Sequence, residues 1–269
     1  MTKRRKSVCY IVLTIASLLS VFPIYWMFVS ATNTTSEIIT GKLLPGTHLW
    51  ENMENLLAAK HIGRAMLNSF RYSIVQTIMA LLVSSIAGYG FEIYHSRGKD
   101  WTMKFLMLSM LVPSISTVIP LYSMFSSMGL LNSMIAFVLP GISSVFLIML
   151  FRQGARAFPI ELIQAARVDG LNEIQIFFRM FIPVMAPTYV AALTITFMNS
   201  WNSYMWPSII MLSNDSVTMP LLIANLMSGY TQDYGMVLLA VSICTIPTII
   251  IFTFLQRYFT AGITGSVKM

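Results

Sequence analysis

Six long apolar runs limit what this chain can fold into more than any other feature. They lie at residues 8–29, 72–94, 105–125, 134–151, 184–212 and 234–255. Most are about 20 residues long or more, the length that an α-helix needs to cross the hydrocarbon core of a bilayer. Backbone groups inside a bilayer must bond to one another, and a helix satisfies this requirement by itself. Because 56% of the residues are hydrophobic and 10% are charged, we predict an all-α membrane protein with about six transmembrane helices.

The N-terminal region resembles a signal peptide but is better interpreted as a retained helix. A basic start at residues 3–6 precedes an apolar run that ends near a cleavage-like Val29-Ser30-Ala31. This run is longer than the apolar part of a typical signal peptide. We therefore assign residues 1–30 to a cytoplasmic stub and the first span. Residues 31–67 are predicted to be external, with an interfacial helix from 49 to 67. Residues 68–269 form the predicted core of five further spans, with a cytoplasmic loop at 152–183 and a tail at 256–269.

The basic residues predict how the chain is oriented. Of the 17 lysines and arginines, only Lys42, Lys60, Arg64 and Arg71 fall on one side of the predicted membrane. Cytoplasmic segments carry the excess of such residues, so both termini and the 152–183 loop are expected in the cytoplasm. The net charge of +7 is accordingly interpreted as anchoring next to membrane lipid, and no nucleic-acid partner is expected.

The apolar runs contain no ionisable residue well inside them. Arg71, Glu92 and Asp233 lie near run ends. Intramembrane ionisable groups are typical of proton relays and ion pathways, and the sequence also has no phosphate-binding GxxxxGK[ST] loop. Cys9 and Cys244 lie in apolar runs and the histidines are scattered. We therefore expect no catalytic residue, no metal site and no cofactor on this chain, so that energy for uphill transport would come from a partner. A secondary transporter or channel for a small polar solute remains the alternative.

The longest polar interruption in the second half, residues 158–187, predicts two short helices joined at a glycine. Pro159 suits a first helical turn, and Gly170 falls where a left-handed C-terminal cap is expected. Asn172 and Gln175 have the spacing of a capping box. The second helix is predicted to carry its large apolar residues on one side, namely Ile174, Phe177, Phe178 and Phe181. Ala165 and Ala166 are small, so we expect them to face outward and let a partner approach closely.

The same loop resembles a known motif. The decapeptide Glu161-Leu-Ile-Gln-Ala-Ala-Arg-Val-Asp-Gly170, followed by Ile182-Pro183, is similar to the EAA loop of ATP-binding-cassette importer permeases, and most similar to the carbohydrate, maltose-type branch. One position departs from the family motif, because Gln164 stands where the family usually has a glutamate. Glutamine keeps the hydrogen-bonding capacity of glutamate but cannot form a salt bridge. The resemblance implies that the ATPase-coupling residues are Glu161, Gln164, Ala165, Ala166, Asp169 and Gly170.

Shorter matches extend the resemblance over nearly the whole chain, at 68–69, 119–122, 138–140, 197–207 and 256–268. It implies the type I importer permease architecture in a bacterial cytoplasmic (inner) membrane. It also implies a second, homologous permease subunit and an extracellular or periplasmic sugar-binding protein. A dimer of ATP-binding-cassette ATPase would bind ATP and Mg²⁺ and drive transport of a carbohydrate, in particular an oligosaccharide.

Polar and aromatic residues in the fifth run are candidates for the substrate path. They are Asn199, Trp201, Asn202, Tyr204 and Trp206. Amides that bond to hydroxyls, next to flat aromatic rings, are suited to a sugar, and helical spacing predicts that Asn199, Asn202 and Trp206 share a face. Amides that hold neighbouring membrane helices together and aromatic residues at the membrane interface are an equally good interpretation.

Overall fold

The computed structural model describes residues 3–59, 61–228 and 232–265, and within these ranges every regular element is a helix. The α-helices are α1 Lys3–Ser30, α2 Thr35–Ile39, α3 Leu49–Ala59, α4 Ile62–Ile93, α5 Arg97–Ser109, α6 Ser114–Ser127, α7 Met134–Val138, α8 Val145–Ala155, α9 Ile160–Val168, α10 Glu173–Ile176, α11 Ile182–Val184, α12 Ala186–Trp201, α13 Met205–Ile210, α14 Met219–Met227 and α15 Tyr234–Gly265. A 3₁₀ turn at Leu139–Gly141 follows α7, and a π turn at Phe177–Phe181 follows α10.

Three of the predicted spans are single helices and three are bent. Lys6–Ser30, Ile62–Ile93 and Tyr234–Gln256 are long and apolar enough to cross a membrane. The other three are pairs of helices with bends of 94° between α5 and α6, 48° at the start of α8 and 81° at the start of α12. The predicted number of about six is reached when each bent pair counts as one span.

The sharpest bend lies inside the third apolar run, residues 105–125. The break lies between Ser109 and Ser114, directly before Pro113 leads into α6. Proline has no N–H to donate, and it disfavours helical geometry in the residue before it. The third run is therefore divided into two helices at Pro113.

The predicted interfacial helix is also shorter than expected. It ends at Ala59 rather than at residue 67, because α4 already begins at Ile62. Arg71, which was placed at the outer edge of the second run, consequently lies within α4 and is exposed. The 32 residues of α4 measure about 48 Å, well beyond the ~30 Å of a hydrocarbon core. The outer turns of this helix therefore extend past the apolar layer.

The chain divides into two compact units. The first contains residues 1–64 and 219–247. Its outer part is held by side-chain amides, since Asn52 Nδ2 donates to the carbonyls of Ala31 and Asn33 at 2.9 and 3.1 Å. Glu37 closes a capping box on Thr34, and the hydrogen bond from Lys42 is the main reason that the pKa of Glu37 falls to about 2.

The second unit contains residues 65–218 and 248–269 and carries both candidate sites. Its centre is an apolar cluster in which α4, α8 and α12 meet through Ala80, Leu81, Leu147, Phe151 and Ala192. Gly88 lets the helices approach closely, because a Cβ there would lie 2.6 Å from Phe151 Cβ and 2.8 Å from the Arg152 backbone nitrogen.

Candidate functional site

Helix α9 has one buried and one exposed face. Ile163 and Ala166 are buried in the core. Glu161, Gln164, Ala165 and Val168 are all exposed, and their i, i+3, i+4, i+7 spacing places them on one side of the helix. The outward position of Ala165 agrees with expectation. Ala166 packs inward, so the expectation that both alanines face out is wrong for that residue.

Both ends of the turn after α9 are closed by local hydrogen bonds. Gly170 has φ +81°, its N–H donates to Arg167 O at 3.1 Å, and the Leu171 N–H donates to Ala166 O at 3.0 Å. These two bonds form a Schellman cap. Asn172 and Gln175 then form the predicted capping box, with bonds of 2.8 and 3.0 Å. The turn therefore has a defined geometry, and Asp169 and Gly170 lie exposed at its tip.

An aromatic cluster packs against the buried face of α9. Phe158, Phe177 and Phe181 are buried around Tyr89 of α4, together with Ile163 and Ala166. The Tyr89 ring lies 4.8 Å from the Phe181 ring and 5.4 Å from the Phe177 ring. Such ring pairs have preferred packing geometries, and they join the loop to a membrane-spanning helix.

The prediction of one apolar side for the second helix of the loop is only half right. Phe177 and Phe181 are buried, whereas Ile174 and Phe178 are 70% and 51% exposed, and the buried Ile176 was not predicted. The chain makes a π turn here, with the Ile182 N–H bonding to Phe177 O. A π turn changes the angular step between residues, so the helical spacing used for the prediction does not apply.

A polar link adds to the aromatic contact between the loop and α4. Arg167 Nε donates to Glu173 Oε1 at 2.8 Å, and Tyr89 Oη donates to Glu173 Oε2 at 3.3 Å. The Arg167 guanidinium also lies 5.9 Å from the centre of the Tyr94 ring. Hydrogen bonding to Glu173 raises the pKa of Arg167, so this side chain keeps its charge. Sequence reasoning did not select Glu173 for this role, because its partners are distant in sequence.

A second polar cluster lies where α4, α5 and α8 meet. Arg152 is 7% exposed, and it donates from Nε to Glu92 Oε2 at 3.0 Å and from Nη2 to Asp100 Oδ1 at 2.6 Å. His95 Nε2 lies 3.0 Å from Asp100 Oδ2, and Arg156 Nε lies 3.5 Å from Glu92 Oε1. A buried guanidinium needs such pairing, and here the pairing connects three helices just before the loop.

A polar cavity lies within the second unit, between α4, the α7–α8 break and α12. Its volume is about 340 Å³, near the lower limit of about 300 Å³ for small-molecule sites. The lining contains amide and hydroxyl groups as well as apolar groups. It consists of Gln76, Pro140, Gly141, Ser143, Ser144, Phe146, Leu147, Ile195, Thr196, Asn199, Ser200 and Ser203.

Of the five candidates for a substrate path, only Asn199 lines this cavity. Asn202 is exposed and donates to Met198 O at 2.9 Å. Tyr204 is half-exposed, and Trp206 donates from Nε1 to Ala136 O at 2.9 Å. Trp201 is 1% exposed, with its ring stacked 5.7 Å from the Phe197 ring. Its indole face is therefore occupied by the core.

The predicted common face of Asn199, Asn202 and Trp206 does not exist. Helix α12 ends at Trp201, and Trp206 belongs to the separate helix α13. The structure brings Gln76, Ser200 and Ser203 next to Asn199 instead. The sequence did contain a signal for Gln76, because this residue places an amide in the middle of an apolar run. Burying an amide there is unfavourable unless it has a hydrogen-bond partner or a function.

Most of the chain matches a known protein family. Residues 80–265 match the family described as the binding-protein-dependent transport system inner membrane component. This match includes the α9 loop and every residue of the cavity lining except Gln76. The chain belongs to this family, and it is a multi-pass inner-membrane permease subunit with the fold of ATP-binding-cassette importer permeases.

Individual relatives cover almost the whole chain. The lactose transport system permease protein LacG of Rhizobium radiobacter is 45% identical over 96% of this chain and 95% of its own length. The arabinooligosaccharides transport system permease protein AraQ of Halalkalibacterium halodurans is 38% identical over 75% of this chain and 72% of its own. The crystal structure of a bacterial ABC transporter involved in the import of the acidic polysaccharide alginate contains a chain with a TM-score of 0.83, at 19% identity. This match covers 96% of the present chain and 99% of that one, and it supports the fold.

Proposed function

We propose that the chain is a permease subunit of an ATP-driven importer for carbohydrates, in particular for oligosaccharides. It pairs with a second, homologous permease and receives sugar from an external binding protein. ATP and Mg²⁺ bind to a dimer of partner ATPases, which carries out the hydrolysis. The names of the two relatives above, one for lactose and one for arabinooligosaccharides, support the substrate class.

The observation that carries the coupling role is the exposed face of α9. Glu161, Gln164, Ala165 and Val168 cover one side of a short helix whose other side is packed on the aromatic cluster. Val168 is 88% exposed, an unusual position for a β-branched apolar side chain in the water beside a membrane. A groove on the ATPase that covers this face would bury Val168 and come close to the backbone at Ala165. Because packed interfaces shift between discrete arrangements, a motion of the ATPase would reach α4 through Tyr89, Phe177 and Phe181.

A bulky residue on this face tests the proposal. In the complex reconstituted with its two partner subunits and the binding protein, Ala165→Trp is expected to lower ATP-dependent uptake of lactose or arabinotriose by roughly 10-fold or more, since overpacking an interface costs about 1–3 kcal/mol. Membrane insertion should not change, because Ala165 is exposed. The matched control is Ala58→Trp on the exposed face of α3, for which wild-type uptake is expected. Equal uptake by the two variants would refute the docking role, and a wild-type complex that moves neither sugar would refute the carbohydrate class.

A further inference from the structure

We propose that the cavity of the second unit is a subsite for an uncharged sugar, and that Gln76 is the residue of this chain that selects it. This inference rests on the carbohydrate-importer function proposed above. It adds the chemical class of the ligand and a specificity-determining residue on α4, away from the fifth run where the substrate path was sought.

Gln76 is held so that its amide donor is available to the cavity. Ser200 Oγ donates to Gln76 Oε1 at 2.8 Å, which fixes the direction of the amide group. Among the residues that the structure describes, none accepts a hydrogen bond from Gln76 Nε2. Gln76 lines the cavity together with Asn199 and Ser203. Two N–H groups without an acceptor at the wall of a cavity are an incomplete site, since such donors bind a partner when one is present.

Gly141 makes room for this amide. It ends the 3₁₀ turn in the break between α7 and α8, and a Cβ built on it would overlap Gln76 Nε2. The overlapping atom is the end of a flexible side chain, so an alanine at this position would displace the amide without forcing the backbone apart. Gly141 and Gln76, which are far apart in sequence, therefore define one feature of the cavity.

The lining selects against charge. Its polar groups are the amides of Gln76 and Asn199 and the hydroxyls of serine and threonine residues, and no residue in the lining is ionisable. An anion taken from water into such a place loses its hydration without gaining a counter-charge, and that is strongly unfavourable. Sugar hydroxyls both donate and accept hydrogen bonds, as these amides and hydroxyls do. Phe146, Leu147 and Ile195 offer apolar surface for the C–H face of a sugar ring.

A purely structural role for Gln76 makes a different prediction. A glutamine that only ties α4 to α12 through Ser200 would be a helix–helix contact of the kind common in membranes. Its loss would loosen the unit and lower transport of every substrate in the same proportion. A residue that bonds to the sugar instead changes the ratio between two sugars, because their hydroxyls meet the amide differently.

The test uses the reconstituted complex with Gln76→Met, which keeps the length and removes the amide, and Gly141→Ala, which displaces it. Uptake of lactose, arabinotriose and the acidic analogue lactobionate is measured at several concentrations. Both variants are expected to raise the half-saturating concentration for one neutral sugar roughly 2- to 10-fold, the range for losing one hydrogen bond, and to change the lactose-to-arabinotriose ratio. The wild type is expected to exclude lactobionate. Gln256→Met, an exposed position on α15, serves as the matched control.

The outcomes separate the two proposals. If the wild type moves a neutral sugar and both variants keep its half-saturating concentration and its sugar ratio, the inference about Gln76 is overturned while the proposed function stands. A proportional loss for both sugars, with lower thermal stability of the complex, also overturns it in favour of helix bracing. Uptake of lactobionate equal to that of lactose overturns the selection for uncharged ligands. A wild type that moves no sugar refutes the proposed function and this inference with it.

Discussion

At the scale of single residues, Gly170 has the strictest requirement in the coupling loop. Its φ of +81° lies in the left-handed region, and no atom lies within 4 Å of the place where a Cβ would be. The requirement is thus conformational, since a side chain would have space but would strain the backbone. The direction in which the chain leaves α9 depends on this angle, because Gly170 and Leu171 supply both N–H groups of the cap.

Gly170→Val is expected to destabilise the loop by about 1 kcal/mol or more, the cost of a left-handed residue with a Cβ, and to lower coupled ATP hydrolysis and uptake. Gly170→Asn should have a smaller effect, because asparagine tolerates this region. Hydrolysis stimulated by the binding protein is the measurement. Gly129 also has a positive φ, of +66°, with open space around it, but it lies outside the loop. Gly129→Val therefore controls for strain alone, and an equal loss of coupling in both valine variants would contradict the prediction.

The sequence predicted the helix caps of the loop correctly, but it did not predict the tertiary contacts of individual side chains. Gly170, Asn172 and Gln175 were correctly assigned because capping depends on neighbours within a few residues. Trp201 was proposed for a sugar and lies in the core, because a sequence contains no information about which ring will stack on it. Gln76 was missed for the same reason, since Ser200 and Gly141 are its neighbours only in the folded chain.

At the scale of the elements, charged groups join α4, α5 and α8. Arg152 of α8 bonds to Glu92 of α4 and to Asp100 of α5. The side chain of Arg152 is only 8% exposed, compared with 20% for Glu92 and 35% for Asp100. Helix α8 ends directly before the loop that leads to α9, so this cluster fixes the point from which the loop starts.

Removing Arg152 alone is expected to lower the free energy of unfolding. Arg152→Met leaves two carboxylates facing each other without their common partner, and the loss should be about 3 kcal/mol. This is the lower end of the range for breaking a buried pair, because Asp100 is partly exposed. The triple variant Arg152→Met, Glu92→Gln, Asp100→Asn should recover much of the stability, since it leaves no buried charge unpaired; Arg156, which loses Glu92, is 62% exposed. Thermal unfolding of the purified complex in detergent measures both, and a triple variant less stable than the single one would contradict the ion-pair explanation.

Element types were predictable and element continuity was not. Each apolar run became helical, because a bilayer leaves the backbone no other local solution. Bends of 94° and 48° divide the third and fourth runs, and one of 81° lies at the start of the fifth run. Pro113, Pro140 and Pro187 lie at or next to these breaks. The sharpness of each bend also depends on which neighbouring groups bond to the freed backbone groups, as Ser144 does by capping α8.

At the scale of the whole molecule, the second unit contains a polar cavity and, separately, an exposed helix packed on the same bundle. The cavity uses α4, α8 and α12, and the aromatic cluster under α9 also includes Tyr89 of α4 and Met185 beside α12. A displacement of α9 by a partner would therefore act on helices that line the cavity. Through these helices, ATP hydrolysis on the proposed partner ATPase would change the access of a sugar to the cavity.

Cross-linking tests the contact that this link requires. In a background with Cys9 and Cys244 replaced by alanine, Val168→Cys labelled with a maleimide that carries a photoreactive diazirine is expected to form a cross-link to the ATPase subunit on illumination, because Val168 is the most exposed apolar residue of the α9 face. Ile11→Cys on the exposed surface of α1 is the control and should form none. Products are identified by mass on a denaturing gel. A Val168→Cys variant that labels with maleimide but never cross-links would contradict the docking arrangement.

The sequence by itself determined the helical class, the approximate number of spans and the capped turn of the loop. These depend on apolar length, on backbone hydrogen bonding within a bilayer and on contacts a few residues apart, all of which are local. The tertiary structure alone decided that Ala166 faces inward, that Arg152 is paired, and that Gln76 rather than Trp201 lies at the cavity. Each of these depends on which distant residues pack side by side, and the hydrophobic pattern of a nearly uniform apolar chain carries little information about such contacts.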